Sequence, residues 1–147
     1  MIIRKAELSD LRSLAELFNQ YRVFYEKESD LAGAQSFLKE RIERNESEIF
    51  VSFNEEGVMT GFTQLYPLFS STRMQRFWLL NDLYVNASYR RQGFSVALIE
   101  RAKKLCFDSG SCGMMLETAK SNIEGNRLYP KVGFELDEDH NYYEWST

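Results

Sequence analysis

Residues 80–102 read LNDLYVNASYRRQGFSVALIERA, and the fold turns on how this stretch is understood. An apolar strand, LNDLYV, runs into a loop of two arginines, a glutamine and a glycine. The loop opens a helix whose apolar residues Phe94, Ala97, Leu98, Ala102, Leu105 and Cys106 keep to one side. A helix start leaves its first backbone N–H groups without intrahelical partners and carries the positive end of the helix dipole. Gly93 lets a ligand come close, because no Cβ stands in the way. Arg90 and Arg91 add fixed positive charge beside those amides. Arg90, Arg91, Gln92, Gly93, Phe94, Ser95 and Val96 therefore form a candidate cradle for a phosphate-like anion. The pattern is not GxxxxGK[ST], which excludes a P-loop triphosphatase. No GxGxxG follows the first strand, so a dinucleotide fold is unsupported. Taken alone, the same residues also suit a solvated helix cap.

Outward from this stretch, the chain reads as one α+β domain spanning residues 1–147. MIIRKAE begins a short strand. Ser9 or Asp10 then caps a helix marked by Leu11, Leu14, Ala15, Phe18 and Tyr21. A second helix is predicted over 32–44, with Phe37, Leu38, Arg41 and Ile42 inward. Between them YRVFYEKESDL, residues 21–31, is aromatic and acidic, suited to a helix end plus loop or to a lip over a substrate pocket. EIFVSFN and VMTGFTQLYPLF read as strands joined at the EEG turn. RFWLLNDLYV, residues 76–85, is too apolar to be one-sided and belongs at the centre of a sheet. After the Gly93 helix, with an exposed Glu100–Lys104 pair, come a strand at GMMLET, a short helix from about Asn122 to Leu128, and two terminal strands around Phe134 and Tyr143.

Bulk properties narrow the function. A net charge of −4 argues against a broad nucleic-acid surface and tolerates cationic partners such as amines. No apolar run reaches the length of a membrane span, and the N-terminus lacks a signal-peptide core. Two cysteines, Cys106 and Cys112, without CxxC spacing, and a single histidine, His140, give a metal site almost nothing to build on. A cytoplasmic protein with a buried free thiol at Cys106 is expected.

Residues 80–102, followed by ETAKSNIEGNRLYPKVGF at 117–134, resemble the Gcn5-related N-acetyltransferase (GNAT) superfamily. The loop pattern [QR]xxGx[GA] falls on Arg90, Gly93 and Ser95, with serine where glycine or alanine is usual. The pattern Nxx[AG]xxLYxKxGF falls on Asn122, Gly125, Leu128, Tyr129, Lys131, Gly133 and Phe134. The resemblance implies a mixed, mostly antiparallel sheet of six or seven strands with about four helices, splayed between strands 4 and 5. It implies acetyl-CoA as co-substrate and no metal. The amides at the helix start would take the pyrophosphate. The strand stretch Leu83, Tyr84, Val85 would hold the pantetheine arm, chiefly through the backbone of Leu83 and Val85. Asn122 would lie against the same arm, and Tyr129 would be the general acid that protonates the leaving thiolate. Pro130 is expected to end the short helix near Tyr129.

Acetyl transfer to an amine needs a neutral amine and a proton for the thiolate, and coenzyme A can bring the thioester, so no protein nucleophile is required. The base is less determined. Asn81 and Asp82 interrupt an apolar strand, where polar groups need a reason. GFTQLYPLFSSTRMQRFWLLNDLYV also resembles the polyamine acetyltransferase branch, which places acids on this strand, although the first of the pair here is Asn81. Asp82 suits a base acting through water, a site for the amine, or a bond to a neighbouring loop. Glu28 and Asp30 are further candidates for binding the amine. The leading expectation is an N-acetyltransferase acting on a small primary amine, with a polyamine, an amino acid or a protein amine all open. Its rivals are a coenzyme A-binding regulator or scaffold and a nucleotide-binding module. The aromatic HNYYEW end suits a homodimer interface or the last strand of the sheet.

Overall fold

The computed structural model describes residues 1–147, which gather into two compact units, 1–116 and 117–147. The first unit holds a five-stranded sheet in the order β1 (Ile2–Lys5), β2 (Glu48–Phe53), β3 (Met59–Ser70), β4 (Gln75–Val85) and β5 (Met114–Met115). The first three junctions are antiparallel and β4–β5 is parallel. The helices are α1 (Leu11–Phe24), α2 (Leu31–Glu43) and α3 (Phe94–Asp108). None of the helices is long and apolar enough to cross a membrane.

Alternation along β2 assigns the two faces of the sheet. Ile49 and Val51 pack with Leu14, Leu17 and Phe18 of α1 and with Ala34 and Leu38 of α2. Phe50, between them, points the other way, and the Arg101 guanidinium of α3 lies 4.0 Å from the centre of its ring. Leu98, Ile99 and Ala102 of α3 are wholly buried, so α3 covers the second face. The helix start at residue 10 differs from expectation. The Asp10 side chain makes no cap bond; it turns back to hold both guanidinium nitrogens of Arg4, at 2.7 and 2.8 Å, and the Glu7 N–H. The exposed ion pairs of α3 also differ: Lys103 meets Glu100 at 2.7 Å, and Lys104 meets Asp108 at 2.9 Å instead of Glu100.

The β3–β4 hairpin carries the feature that places the polar residues. Gln64 faces Asp82 and Leu65 faces Leu80, so Asn81 is an extra residue, a β-bulge. In a regular strand Leu80 and Asp82 would share a face. The bulge separates them: Leu80 sits opposite Leu65, while Asp82 sits opposite Gln64 on the face covered by α1 and α2, the face Phe62 shares. Beyond the bulge no strand pairs with β4 on its outer side, because β5 pairs only at Trp78–Met114 and Leu79–Met115.

The second unit is α4 (Ile123–Lys131) and the chain after it. Contrary to expectation, α4 runs through Pro130. Proline here removes only one N–H near the helix end, and the Val132 N–H resumes the winding with bonds to the Leu128 and Tyr129 carbonyls at 3.2 Å each. Gly133, with φ +87°, closes the helix. The Phe134 N–H reaches the Tyr129 carbonyl at 3.0 Å and the Gly133 N–H reaches Pro130 at 3.1 Å, the paired bonds of a Schellman cap. The rings of Tyr129 and Phe134 meet edge to face at 5.8 Å, the apolar contact such a cap uses.

The sheet therefore has five strands, not six or seven. GMMLET yields only the two residues of β5, and no strand forms around Phe134 or Tyr143. Asp137 accounts for part of this. Its carboxylate accepts the Asp139 and His140 N–H groups and the Tyr142 hydroxyl, a local alternative to a ladder.

Gly61 keeps the hairpin closed at its inner end. A Cβ there would lie 2.6 Å from the Tyr84 carbonyl oxygen and 3.0 Å from Val85 Cγ2. Gly61→Ala is expected to destabilise the protein by about 1–3 kcal/mol, read as a lower midpoint in urea unfolding.

Candidate functional site

The helix mouth is built by backbone more than by charge. Asn86 caps a short turn at Ala87–Tyr89 by accepting the Ser88 N–H at 3.0 Å. Arg91 and Gly93 then both take left-handed conformations, φ +61° and +88°, which swings the chain into α3. Gly93 is the N-cap, without a side-chain cap bond, and the Ala97 N–H is the first to close on it, at 3.0 Å. The N–H groups of Phe94, Ser95 and Val96 precede that bond and have no intrahelical carbonyl, so they suit an anion. A Cβ on Gly93 would meet nothing nearer than Met1 Cε at 3.9 Å. The glycine is required by its backbone angle as well as by any ligand's approach.

Three side chains at the helix mouth are engaged within the protein. The Arg90 Nε donates to the Val85 carbonyl at 3.1 Å, and its guanidinium carbon sits 5.5 and 5.7 Å from the ring centres of Phe24 and Tyr84. Arg90 thus fastens the end of β4 to α1. Phe94 is buried edge-on to Tyr89, packing the loop against its own helix. Gln92 returns to the Ser88 carbonyl at 3.4 Å.

Hydrogen-bond parity orients the open edge of β4. The Asn86 N–H donates to the Thr60 carbonyl at 2.9 Å. Since bonded and non-bonded pairs alternate, Leu83 and Val85 turn their N–H and C=O groups away from β3, toward the side without a strand. Such an edge accepts an extended, amide-bearing ligand as though it were a strand. The pantetheine arm has that chemistry, and the α3 amides suit its pyrophosphate, so these residues fit coenzyme A. One acceptor on the edge, the Val85 carbonyl, is already used by Arg90.

Asp82 is the unusual group. It is 4% exposed, and its carboxylate takes the Gln64 Nε2 at 2.8 Å, the Asn81 Nδ2 at 3.1 Å and a hydrogen bond from the Tyr21 side chain. Burial pushes its pKa up, and those three hydrogen bonds pull against the rise. Behind it the Ser47 hydroxyl donates to Gln64 Oε1 at 2.8 Å. Tyr66, two residues along β3 from Gln64, has its phenol pushed up to about 12, first by burial and then by the nearby negative Asp82. A desolvated carboxyl with a perturbed pKa and no cationic partner in contact marks a candidate functional residue. Asn81, at the bulge, is exposed and touches Asp82 directly.

Glu28 and Asp30 make no contact with this cluster. Asp30 caps α2 by accepting the Gly33 N–H at 2.8 Å, and the Glu28 carbonyl receives the Arg22 Nη1 at 3.0 Å. Gln64, Ser47 and Tyr66 are not among the residues expected from the sequence, and Tyr21 is expected only as part of the first helix and of the 21–31 segment. Gln64 alone had a visible signal, an amide in the middle of the otherwise strand-like GFTQLY.

In the second unit Asn122 and Tyr129 belong to one helix. Asn122 Oδ1 accepts the Gly125 N–H at 3.2 Å, and its Nδ2 donates to Thr118 Oγ1 at 2.9 Å. Gly125 permits this fold-back, since a Cβ there would lie 2.6 Å from Asn122 Nδ2 and 3.3 Å from the Tyr129 ring. Asn122 is therefore the N-cap, and Tyr129 sits at the other end, in the cap closed by Gly133. No group of three or more His, Cys, Asp or Glu is arranged to hold a metal ion.

Comparison with known proteins bears on the family and the fold. The model of the Acetyltransferase (GNAT) family matches residues 11–134. An uncharacterized N-acetyltransferase of Bacillus subtilis, YhfO, is 44% identical over 93% of this chain and 91% of its own length. A probable acetyltransferase of Haemophilus influenzae is 32% identical over 89% of this chain and 93% of its own. A crystal structure of a probable acetyltransferase, 35% identical, superposes with a TM-score of 0.95, covering 100% of this chain and 98% of that one.

Two outcomes test the site. Gly93→Val forces a branched residue into left-handed backbone beside the amides, and should weaken coenzyme A binding tenfold or more, about 1.4 kcal/mol. Asparagine tolerates that backbone better, so Gly93→Asn should lose less, both read by calorimetry. Because folding disfavours the ionised Asp82, the native state holds its proton to higher pH than the unfolded chain does. Wild-type stability is therefore given up as pH rises from the unfolded carboxyl's pKa through the raised native one. Asp82→Asn cannot ionise, so its melting temperature relative to wild type should climb over that same interval.

Proposed function

The chain belongs to the acetyltransferase (GNAT) family, and from that premise we propose that it acetylates a primary amine of a small cationic molecule, of polyamine type. The observation that carries the acceptor side is Asp82, a buried carboxyl whose carboxylate bonds only to neutral donors, set at the bulge of the strand with the open edge. Acetyl-CoA, when bound, supplies an activated acetyl group as a thioester. The chain's own residues hold it and manage protons. Leu83 and Val85 bind the pantetheine arm through their outward backbone groups, and the N–H groups of Phe94, Ser95 and Val96 take the pyrophosphate.

An amine attacks only when neutral. A carboxylate near an ammonium attracts it more strongly in a desolvated place than in water. It also raises the amine's pKa, so the same group must help take the proton away. Desolvation makes Asp82 a stronger base than an ordinary carboxylate, which suits both tasks, directly or through a water. Asn81 lies beside it and is the second group assigned to the amine. Asp30 is engaged as a helix cap, and Glu28 is not assigned a role.

Tyr129 is assigned the general-acid role from its place in the LYPKVGF motif. A phenol with an ordinary pKa near 10 keeps its proton at neutral pH and can give it to a leaving thiolate. The cap contact with Phe134 fixes the ring without using the hydroxyl.

Thiol release from acetyl-CoA across a panel of polyamines, amino acids and neutral-tailed amines tests the reading. Polyamines should react best, and Asp82→Asn should raise their KM more than that of a neutral-tailed amine. Preference for an α-amino acid would refute the acceptor class, and no turnover with any amine would refute the enzymatic reading. Tyr129→Phe should lower turnover by about 10²–10⁴ with little change in acetyl-CoA affinity. Near wild-type turnover, with chemistry limiting, would make Tyr129 a packing residue.

A further inference from the structure

Two aspartates are buried, and their partners differ in kind. Asp10 faces the Arg4 guanidinium and the Glu7 backbone N–H, which can only donate. Such a shell satisfies an ionised carboxylate and nothing else, and its carboxyl is held below the ordinary value, chiefly by the Arg4 hydrogen bonds. The shell of Asp82 is two-sided. Gln64 and Asn81 offer amides, each with a donor end and an acceptor end, and the Tyr21 phenol can donate or accept.

Ser47 extends this behaviour one step further. Its hydroxyl donates to Gln64 Oε1 at 2.8 Å, so both ends of the buried Gln64 amide are occupied. With Asp82 ionised, Nε2 faces Asp82 and Ser47 donates. With Asp82 protonated, a half-turn of the amide brings Oε1 to the new O–H and Nε2 to the Ser47 oxygen, which then accepts. In both states the Gln64 amide oxygen and nitrogen each keep a partner, one on Asp82 and one on Ser47, whereas an unpaired polar atom in a buried place is costly. The exchange calls for no backbone movement, and the Asp82 carbonyl is held separately by the Thr63 hydroxyl at 2.8 Å.

We propose that Gln64, backed by Ser47, is a positioning residue for acetyl transfer: a reversible hydrogen-bond partner that lets Asp82 gain and lose a proton in place. The proposal rests on Asp82 being the base. In the step concerned, an N–H bond of the acceptor ammonium breaks and its electron pair stays on nitrogen. The proton forms an O–H bond on Asp82, directly or through a water, and is later released to solvent. The titratable groups on this side are Tyr21 on α1, Glu40 and Arg41 on α2, Glu46 after it, Tyr66 on β3 and Tyr84 on β4. The Arg41 charge is met by Glu40 and Glu46, at 3.1 and 3.5 Å.

Two measurements test it: the titration of the Asp82 carboxyl carbon by NMR, and the pH profile of kcat/KM with acetyl-CoA and the fastest amine of the panel. The bond Gln64 gives the carboxylate is charge-assisted and stronger than the one it takes from the acid, so in Gln64→Met the Asp82 midpoint should rise by about one pH unit, a tenfold change in the proton equilibrium. Ser47→Ala should give a smaller rise, and carries the test should Gln64→Met not fold. The acid limb of kcat/KM should move with the midpoint, while the Asp10 midpoint and coenzyme A affinity stay put. A midpoint equal to wild type in a folded variant overturns the proposal. So does an acid limb that stays fixed while the midpoint moves. If Asp82→Asn keeps the wild-type acid limb, the base assignment fails, and with it the catalytic role of Gln64. The NMR midpoint still shows whether Gln64 governs the carboxyl.

Discussion

One unpaired residue, Asn81, sets the arrangement of the sheet's working end. Because it is extra to the β3–β4 ladder, everything beyond it on β4 is turned by one position relative to what precedes it. Leu80 goes to the α3 face as core. Asp82 goes to the α1/α2 face, against Gln64 and Tyr21. The same stretch is where β4 loses its parallel neighbour, so one strand segment presents a buried acid on one side and unpaired backbone at its edge. Without the bulge, Asp82 would stay on the face of Leu80, among the apolar residues beneath α3.

The loop that follows ties this segment down. Arg90 bonds the last carbonyl of β4 and lies over Phe24 and Tyr84, while Phe94 anchors the start of α3 beneath Tyr89. Positive charge at a helix mouth suggests direct contact with an anion, but Arg90 is engaged in joining strand, loop and α1. The backbone amides at the start of α3 suit an anion, and the left-handed Gly93 presents them.

Periodicity and turn chemistry made most elements legible. α1, α2, α3 and the β2–β3–β4 meander lie close to where apolar spacing put them, and the helix mouth was visible because glycine and arginine stand out there. The rest depended on information that spacing does not carry. A bulge is a mismatch between two strands, so it cannot be seen in either alone, and the partnership of Gln64 with Asp82 was hidden with it. Tyr21 had ordinary helical spacing and read as core. Pro130 suggested a helix end, yet the cap lies three residues on, where Gly133 supplies the required angle. Phe134 and Tyr143 have strand-like composition, but Asp137 offers the backbone nearer partners.

The cap on α4 has a bearing on how this protein would be recognised among its kin. Asn122 and Gly125 begin that helix, and Gly133 and Phe134 finish it, so most of the second motif records the architecture of one short helix. The Tyr129 hydroxyl takes no part in the capping geometry. A descendant that exchanged the tyrosine for phenylalanine would keep the cap, the ring contact and very nearly the whole signature. Resemblance along this segment therefore traces ancestry of shape, and the phenolic oxygen has to be read separately from it.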